Sequence, residues 1–398
     1  MGNSTFLTRV VLENYMSIAA CDVRLGPLTF LVGPNGSGKS NFLDALRFVT
    51  DALRGTTEYA FREHGGADRV VRRSIEQPSP SQFGIRLEFV LPSGTSGHYA
   101  FRVDVRSLGG YQVQAEECVI RERASLDEAA YFRVHRGVVD ASVEVAPAVL
   151  EDRLYLASAS GFPDFRPVYE AFSRMGFYNL NPDEIRKVQP PRGGDMLARD
   201  GSNITGVLRR MREQDFSVIQ EYLALIVPKV RDVRATTIGG YDVLEFQEVA
   251  GSEHTWDFPA ASMSDGTLRA LGILVALFQS RDGEASRVPL IGIEEPELAL
   301  HPAAVGVLLD SLREASASTQ VIITSQSPEL LHDDHIDAES ILAVMAPDGV
   351  TEIGPVDDVG RSILHDHLFT AGELLRLDQL KPAGAAERRT DGSGEPAP

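Results

Sequence analysis

The residues Gly33-Pro34-Asn35-Gly36-Ser37-Gly38-Lys39-Ser40 fit the pattern G-x-x-x-x-G-K-[ST], and no other stretch constrains the fold as strongly. Such a loop works only between a buried strand and a helix. Leu28-Thr29-Phe30-Leu31-Val32, just before it, is a short apolar run of strand formers. Asn41 to Val49, just after it, carries apolar residues at helical spacing. The glycines let the backbone curl so that successive N–H groups face an anion, and the helix N-terminus adds its partial positive charge. In that geometry Lys39 reaches the β- and γ-phosphates of a nucleotide and the Ser40 hydroxyl ligates Mg²⁺. Only four of the 38 basic residues are lysines, so Lys39 stands out from an arginine-biased background.

Glu294 follows Lys39 by 255 residues, in Pro289-Leu290-Ile291-Gly292-Ile293-Glu294-Glu295-Pro296. The apolar run predicts a buried strand with Glu294 at its carboxyl end, where open α/β sheets bind ligands. A carboxylate there suits Mg²⁺, and Glu295, pointing elsewhere, can polarise an attacking water. Upstream, Ser262-Met263-Ser264-Asp265-Gly266-Thr267 opens an amphipathic run, which predicts a capped helix with an anion-ready N-terminus.

Composition sets bounds. A hydrophobic fraction of 43% describes a globular chain with a core, and no apolar run is long enough to span a membrane. The first residues show no basic-then-apolar leader, so no secretory signal is expected. Cys21 and Cys118 define no disulfide framework and fit a reducing cytosol. A net charge of −19 opposes a surface that coats nucleic acid generally. Local basic clusters remain: Arg69, Arg72 and Arg73; Arg186, Lys187 and Arg192; Arg209, Arg210 and Arg212; Lys229, Arg231 and Arg234. The histidine–acid groups at 332–337 and 365–367 read as polar loop and helix surface, not as metal sites.

Along the chain, residues 7–33 read as strands leading into the loop and 82–139 as a β-meander, with turns at Ser93–Gly97 and Gly109-Gly110. Residues 163–228 read as mainly helical, the longest helix running from Thr205 to Ile226. A strand pair follows at 230–237 and 241–249. From about 262, helices at 267–280 and 302–316 alternate with strands at 288–293, 320–324 and 340–346, the pattern of a parallel sheet. The tail from Pro382 reads as disordered. These segments give an N-terminal lobe at 1–160, an insertion at 161–255, a C-terminal lobe at 256–380 and a tail at 381–398.

The order of motifs resembles the ABC-type ATPases of the SMC/RecF/OLD group, above all its bacterial stand-alone branch. The residues that carry the likeness are the loop, Ser264-Asp265-Gly266-Thr267, Ile293-Glu294-Glu295-Pro296-Glu297-Leu298-Ala299-Leu300-His301-Pro302, and Gln320 to Pro328. Arg9 to Tyr15 and Gly372-Glu373-Leu374 share it. The resemblance implies an α/β P-loop ATPase head, with a mixed or parallel sheet flanked by helices, plus a β-meander and a helical insertion. It implies ATP and Mg²⁺ as ligands, with Gly33 to Ser40 as Walker A and Asn41, just after it, among the nucleotide-binding residues. Glu294 then falls at the Walker B acid, Glu295 at the catalytic glutamate, and Glu297 to His301 at the D-loop. Ser264 and Gly266 fall where the signature motif grips the γ-phosphate of ATP on the opposite protomer, so a homodimer around two ATPs is expected.

Three positions depart from the family pattern. Gln326 stands where a switch histidine is usual, and an amide cannot carry the charge of an imidazolium. Glu294 replaces the commoner Asp, and Met16 stands where relatives often have Arg. Gln82 is the candidate for the Q-loop glutamine. By resemblance the role is DNA repair, recombination or anti-phage defence, with DNA or a separately encoded nuclease as partner. The alternative is a nucleotide-gated protein-interaction module with slow turnover. A transporter engine fits poorly, given Glu-Pro-Glu, the long gap between motifs and the lack of any membrane span.

Overall fold

The computed structural model describes residues 5–73, 80–106, 110–121, 130–143, 146–150, 152–191, 194, 196–250, 254–279 and 288–383. Gly109, Arg192, Gly193, Ser280 and the tail from 384 lie outside them. In chain order the strands are Leu7–Tyr15 (β1), Ile18–Arg24 (β2), Leu28–Val32 (β3), Gln82–Val90 (β4), Ser96–Val105 (β5), Tyr111–Arg121 (β6), Ala130–His135 (β7) and Val138–Ala141 (β8). Then come Gly176–Tyr178 (β9), Val230–Ile238 (β10), Tyr241–Ala250 (β11), His254–Pro259 (β12), Leu290–Glu294 (β13), Gln320–Ser325 (β14), Ile341–Met345 (β15) and Glu352–Pro355 (β16).

They build three sheets. The largest is antiparallel, in the order β2-β1-β4-β5-β6-β7-β8, so the expected meander extends a sheet begun by the first hairpin. The second is mixed, in the order β16-β15-β3-β14-β13-β9, with only the β15–β16 pair antiparallel. The third, β10-β11-β12, is small and antiparallel.

β3, β13 and β14 are apolar almost throughout because both faces of the mixed sheet are covered. Leu31, Leu290 and Ile322 join the core shared with the helix Lys39–Arg54 and the antiparallel sheet. Phe30, Ile291, Ile293, Val321 and Ile323 join the core on the other face, under the helices Glu213–Ile226, Asp265–Phe278 and Val305–Ser316. The helix Lys39–Arg54 is thus wedged between two sheets. Phe48 meets Phe61, Phe83 and Tyr15 edge-on at 5.2, 5.5 and 6.2 Å, and removing such a buried ring costs about 3–5 kcal/mol.

Two polar devices lock this arrangement. Gln320, fully buried, accepts from the Phe6 and Leu7 N–H groups and donates to the Leu7 and Gly26 carbonyls, tying β14 to the antiparallel sheet. On the side of the wedged helix, His64 bridges Asp44 (2.7 Å) and Asp51 (3.0 Å), while Arg47 and the Tyr15 hydroxyl also bond Asp44.

Three sequence expectations need correction. The helix expected at 205–226 is two, Ile204–Leu208 and Glu213–Ile226, with the chain extended at Arg212. Residues 209–212, where the break falls, hold no Gly or Pro; the break is tertiary, because Arg209 turns out to Asp242 and Thr237, and Arg210 to the Gly194 carbonyl. β9 lies in the stretch read as helical insertion, yet it is the edge strand of the mixed sheet beside β13. At three residues it is too short to show a period. β12 extends the expected strand pair to three strands.

Candidate functional site

Register brings the motifs together. Val32 pairs with Ser325 and Thr324 with Glu294, so β3, β14 and β13 release the Gly-rich loop, Gln326 and Glu295 side by side at one carboxyl edge. Gly33 N–H donates back to the Ser325 carbonyl at 3.4 Å.

Gly36 and Gly38 take φ of 76° and 100°, and a Cβ on Gly38 would collide with Thr351. Lys39 starts the helix, and its ammonium lies back across the loop on the Gly33 (2.8 Å) and Pro34 (2.9 Å) carbonyls. It is 5% exposed and makes no ion pair among the described residues; burial lowers its pKa, with Glu295 and Glu297 pulling the other way. Ser37 is buried and its hydroxyl has no hydrogen-bond partner among the described residues. A buried cation resting on carbonyls and an orphaned hydroxyl fit an anionic triphosphate. Pro34, Asn35, Gly36 and Ser40 are exposed. Asn41 points away from any such ligand: its amide donates to Ser17 Oγ (2.6 Å), which bonds Thr351 Oγ1 (2.6 Å), which donates to the Ser37 carbonyl (2.9 Å). Ser17 and Thr351 therefore brace the loop, and neither belongs to a motif that would reveal it in the sequence.

Glu295 sits in the left-handed region at φ 43°, held by its N–H on the Thr324 carbonyl (3.0 Å) and Oγ1 (3.2 Å). Its carboxylate accepts from Gln326 Nε2 at 3.3 Å. Arg269 grips the backbone of both acids, donating to the Glu294 and Glu295 carbonyls at 3.2 Å each and to Leu180 O at 3.1 Å. Glu297 accepts from Ser325 Oγ (2.6 Å); burial pushes its carboxyl up despite that bond. Glu294 Oε1 accepts from Arg199 at 3.0 Å, a partner that no motif predicted. Hydroxyl and carboxylate oxygens from Ser40 and Glu294 are a donor set suited to Mg²⁺.

Ser264 caps the helix Asp265–Phe278, accepting from Thr267 N–H at 3.2 Å, and is exposed. Gly266 packs on the Ala299 carbonyl, which a Cβ would strike, and Arg186 pairs with Asp265. The signature turn therefore leans on the loop after the paired acids while its outer edge stays open. Gln82 lies exposed on β4 opposite Asp104, in the antiparallel sheet and not beside β3. Among the described residues no helix is long and apolar enough to cross a membrane, and no group of three His, Cys, Asp or Glu could hold a metal ion. In the two histidine–acid stretches, Asp333 pairs with Arg313, His332 bonds Thr370, and His335 and His365 are solvent-exposed.

A strand, glycine loop and helix with paired acids at the end of the next strand but one, β13, form a P-loop fold suited to binding a nucleotide. A family model described as "AAA domain, putative AbiEii toxin, Type IV TA system" matches residues 28–115 and 226–332, just under half of the chain. The Arabidopsis thaliana structural maintenance of chromosomes protein 1 is 27% identical over 175 residues, 41% of this chain and 14% of that protein. The Vibrio vulnificus DNA replication and repair protein RecF is 46% identical over 41 residues, 10% of this chain and 11% of that protein. The Smc head domain with an extended coiled coil, bound to the C-terminal domain of ScpA and derived from Pyrococcus furiosus, has the same fold. Its TM-score is 0.55 at 14% identity, over 91% of this chain and 99% of that one. An SmcHead bound to the C-winged helix domain of ScpA gives 0.52 at 14% identity, over 87% and 97%. In its motifs the chain resembles the ABC-type ATPases of the SMC/RecF group, and it shares its fold with the Smc heads. It matches only 14% and 11% of the length of the two curated relatives.

Proposed function

We propose that this chain binds and hydrolyses ATP and that two copies close head to tail around two ATP molecules. One observation carries the reading: at a single sheet edge Gln326 bonds Glu295, and the uncompensated Lys39 ammonium feels the charge of Glu295 and Glu297. In this reading Gly33 to Gly38 cradle the phosphates through backbone N–H groups, and Lys39 leaves its two carbonyls for the β- and γ-phosphates. Ser40 and Glu294 would hold Mg²⁺, which supplies positive charge against the triphosphate. Glu295 accepts the proton of the attacking water, and Gln326 offers an N–H to the γ-phosphate. Asn41 acts at one remove, by fixing Ser17 and the loop. Ser264 and Gly266 serve the ATP of the other copy.

The test combines phosphate release with light scattering. Lys39→Ala should lose ATP binding, and Glu295→Gln should bind ATP, stop hydrolysing and accumulate as a dimer. A wild-type rate in Glu295→Gln would refute the assignment.

For the biological setting we favour DNA maintenance, or defence against foreign DNA with a separately encoded nuclease. The RecF relative, named for DNA replication and repair, supports this. Arg209 is committed to the buried Asp242, so the Arg209, Arg210 and Arg212 cluster is a poor DNA contact. Arg69 and Arg73 are exposed beside the half-buried Arg72. Neutralising these three should flatten the salt dependence of ATP-dependent DNA binding, and no binding at low salt would remove that role. Gln326 in place of a histidine favours the second reading, a nucleotide-gated interaction module in which turnover is a slow timer.

A further inference from the structure

Glu294 carries a cation of this chain's own. Arg199 Nη2 donates to Glu294 Oε1 at 3.0 Å, with the two side chains 46% and 20% exposed. The arginine comes from residues 196–201, far from every motif in the sequence.

That loop does not need the guanidinium to stay in place. The Arg199 carbonyl accepts from Asn179 N–H at 3.0 Å and the Asp200 carbonyl from Asn181 N–H at 3.1 Å. Leu197 N–H donates to Gln279 Oε1 at 2.7 Å and Ala198 N–H to Asn203 Oδ1 at 2.7 Å. Gln279 is fixed in turn by the Tyr178 hydroxyl at 2.7 Å. The backbone is stapled at four points, and the side chain is free to do something else. It is aimed at the one carboxylate that the proposed function reserves for Mg²⁺. The pair lines a narrow cleft with Asp44, Arg47 and Tyr178, on the flank of the loop helix.

Resting on that function, we propose that Arg199 is a placeholder cation for the metal site. It neutralises Glu294 while no divalent ion is bound, and it must yield the carboxylate when one arrives. A guanidinium and a divalent ion on one carboxylate repel each other, so the two occupancies compete. Arg269 holds only the backbone carbonyls of Glu294 and Glu295 and does not compete. Arg199 is thus a positioning residue that sets how much Mg²⁺ is needed for ATP to bind tightly.

The test is a Mg²⁺ titration of fluorescent-ATP binding in wild type, Arg199→Ala and Arg199→Lys, with an EDTA arm. Because the ion pair is partly exposed, Arg199→Ala should lower the Mg²⁺ midpoint by about threefold to fivefold. Affinity in EDTA should stay unchanged, and Arg199→Lys should lie nearer wild type. An unchanged or raised midpoint overturns the proposal. So does weaker binding in both Mg²⁺ and EDTA with a lowered melting temperature, which marks a merely structural arginine. Should wild type bind no ATP at all, the proposed function fails on its own. Binding of Mn²⁺ alone, followed by electron paramagnetic resonance, then decides for Arg199: tighter in Arg199→Ala supports competition, and equal affinity overturns it.

Discussion

The Gln326 side-chain amide donates to Glu295 Oε1 at 3.3 Å, joining two residues 31 positions apart at the ends of adjacent strands. Glu295 has the geometry of a base held ready: a fixed left-handed backbone and one neutral donor on its carboxylate. Glu295→Gln should cut phosphate release by about 10²- to 10⁴-fold, the usual contribution of a general base, while ATP affinity is kept. Gln326→His restores the titratable group usual in the family and should raise turnover. An equal or lower rate would show that the amide is not what limits hydrolysis.

Gly266 tests the trans site. A methyl there strikes the Ala299 carbonyl and tilts the start of the helix Asp265–Phe278. Gly266→Ala should leave ATP binding by the monomer intact and abolish ATP-dependent dimerisation on sizing. A dimer formed as readily as in wild type would remove the signature turn from the interface.

Lys39 is held in the folded chain at a disadvantage. Burial lowers its pKa, so folding disfavours the charged form at every pH below that value. Lys39→Met should therefore melt at a higher temperature than wild type without ATP, and show no rise when ATP is added. Calorimetry with and without nucleotide reads both effects.

The Asp44, His64 and Asp51 bridge predicts a pH profile. Burial acts against the His64 imidazolium, but the bonds from Asp44 and Asp51 prevail and its pKa is raised above 6.5. Its contribution is complete below 6.5 and lost as pH rises through the folded value. For Asp44, burial is outweighed by His64 and Arg47, and its pKa falls to about 2. That contribution is complete above 3.8 and lost as pH falls towards 2. The melting temperature of wild type should decline as pH climbs above 6.5, and that of His64→Gln should be lower and flatter there.

Gln320→Leu keeps the volume and removes four hydrogen bonds. It leaves the Phe6 and Leu7 N–H groups and two carbonyls buried without partners, each costing about 1–3 kcal/mol unless the strands part to admit water. Chemical denaturation should show a loss of at least about 2 kcal/mol.

The site was legible where chemistry dictates both residue type and spacing. Lys39, Glu294 and Glu295 were singled out by the glycine-loop pattern and by an apolar run ending in acids, and the structure gathers the segments that carry them at one sheet edge; β3, β13 and β14 could be read because both faces are apolar. Arg199, Ser17 and Thr351 could not. Each acts through a contact between segments distant in sequence, and none sits at a fixed offset from the residue it serves. β9 was hidden by its length, and the break before Glu213 by arginines that leave the helix for tertiary partners.

β3 lies between β14 and β15. During synthesis the strand that launches the phosphate loop emerges early, yet both its neighbours come from residues 320–345. At ribosomal speed that interval is on the order of a quarter-minute to a minute. For that time an apolar strand waits with both edges unpaired, a natural substrate for chaperones and a seed for aggregation. A chain stopped before residue 320 would carry the whole glycine loop in its sequence and still have no folded place to put a nucleotide.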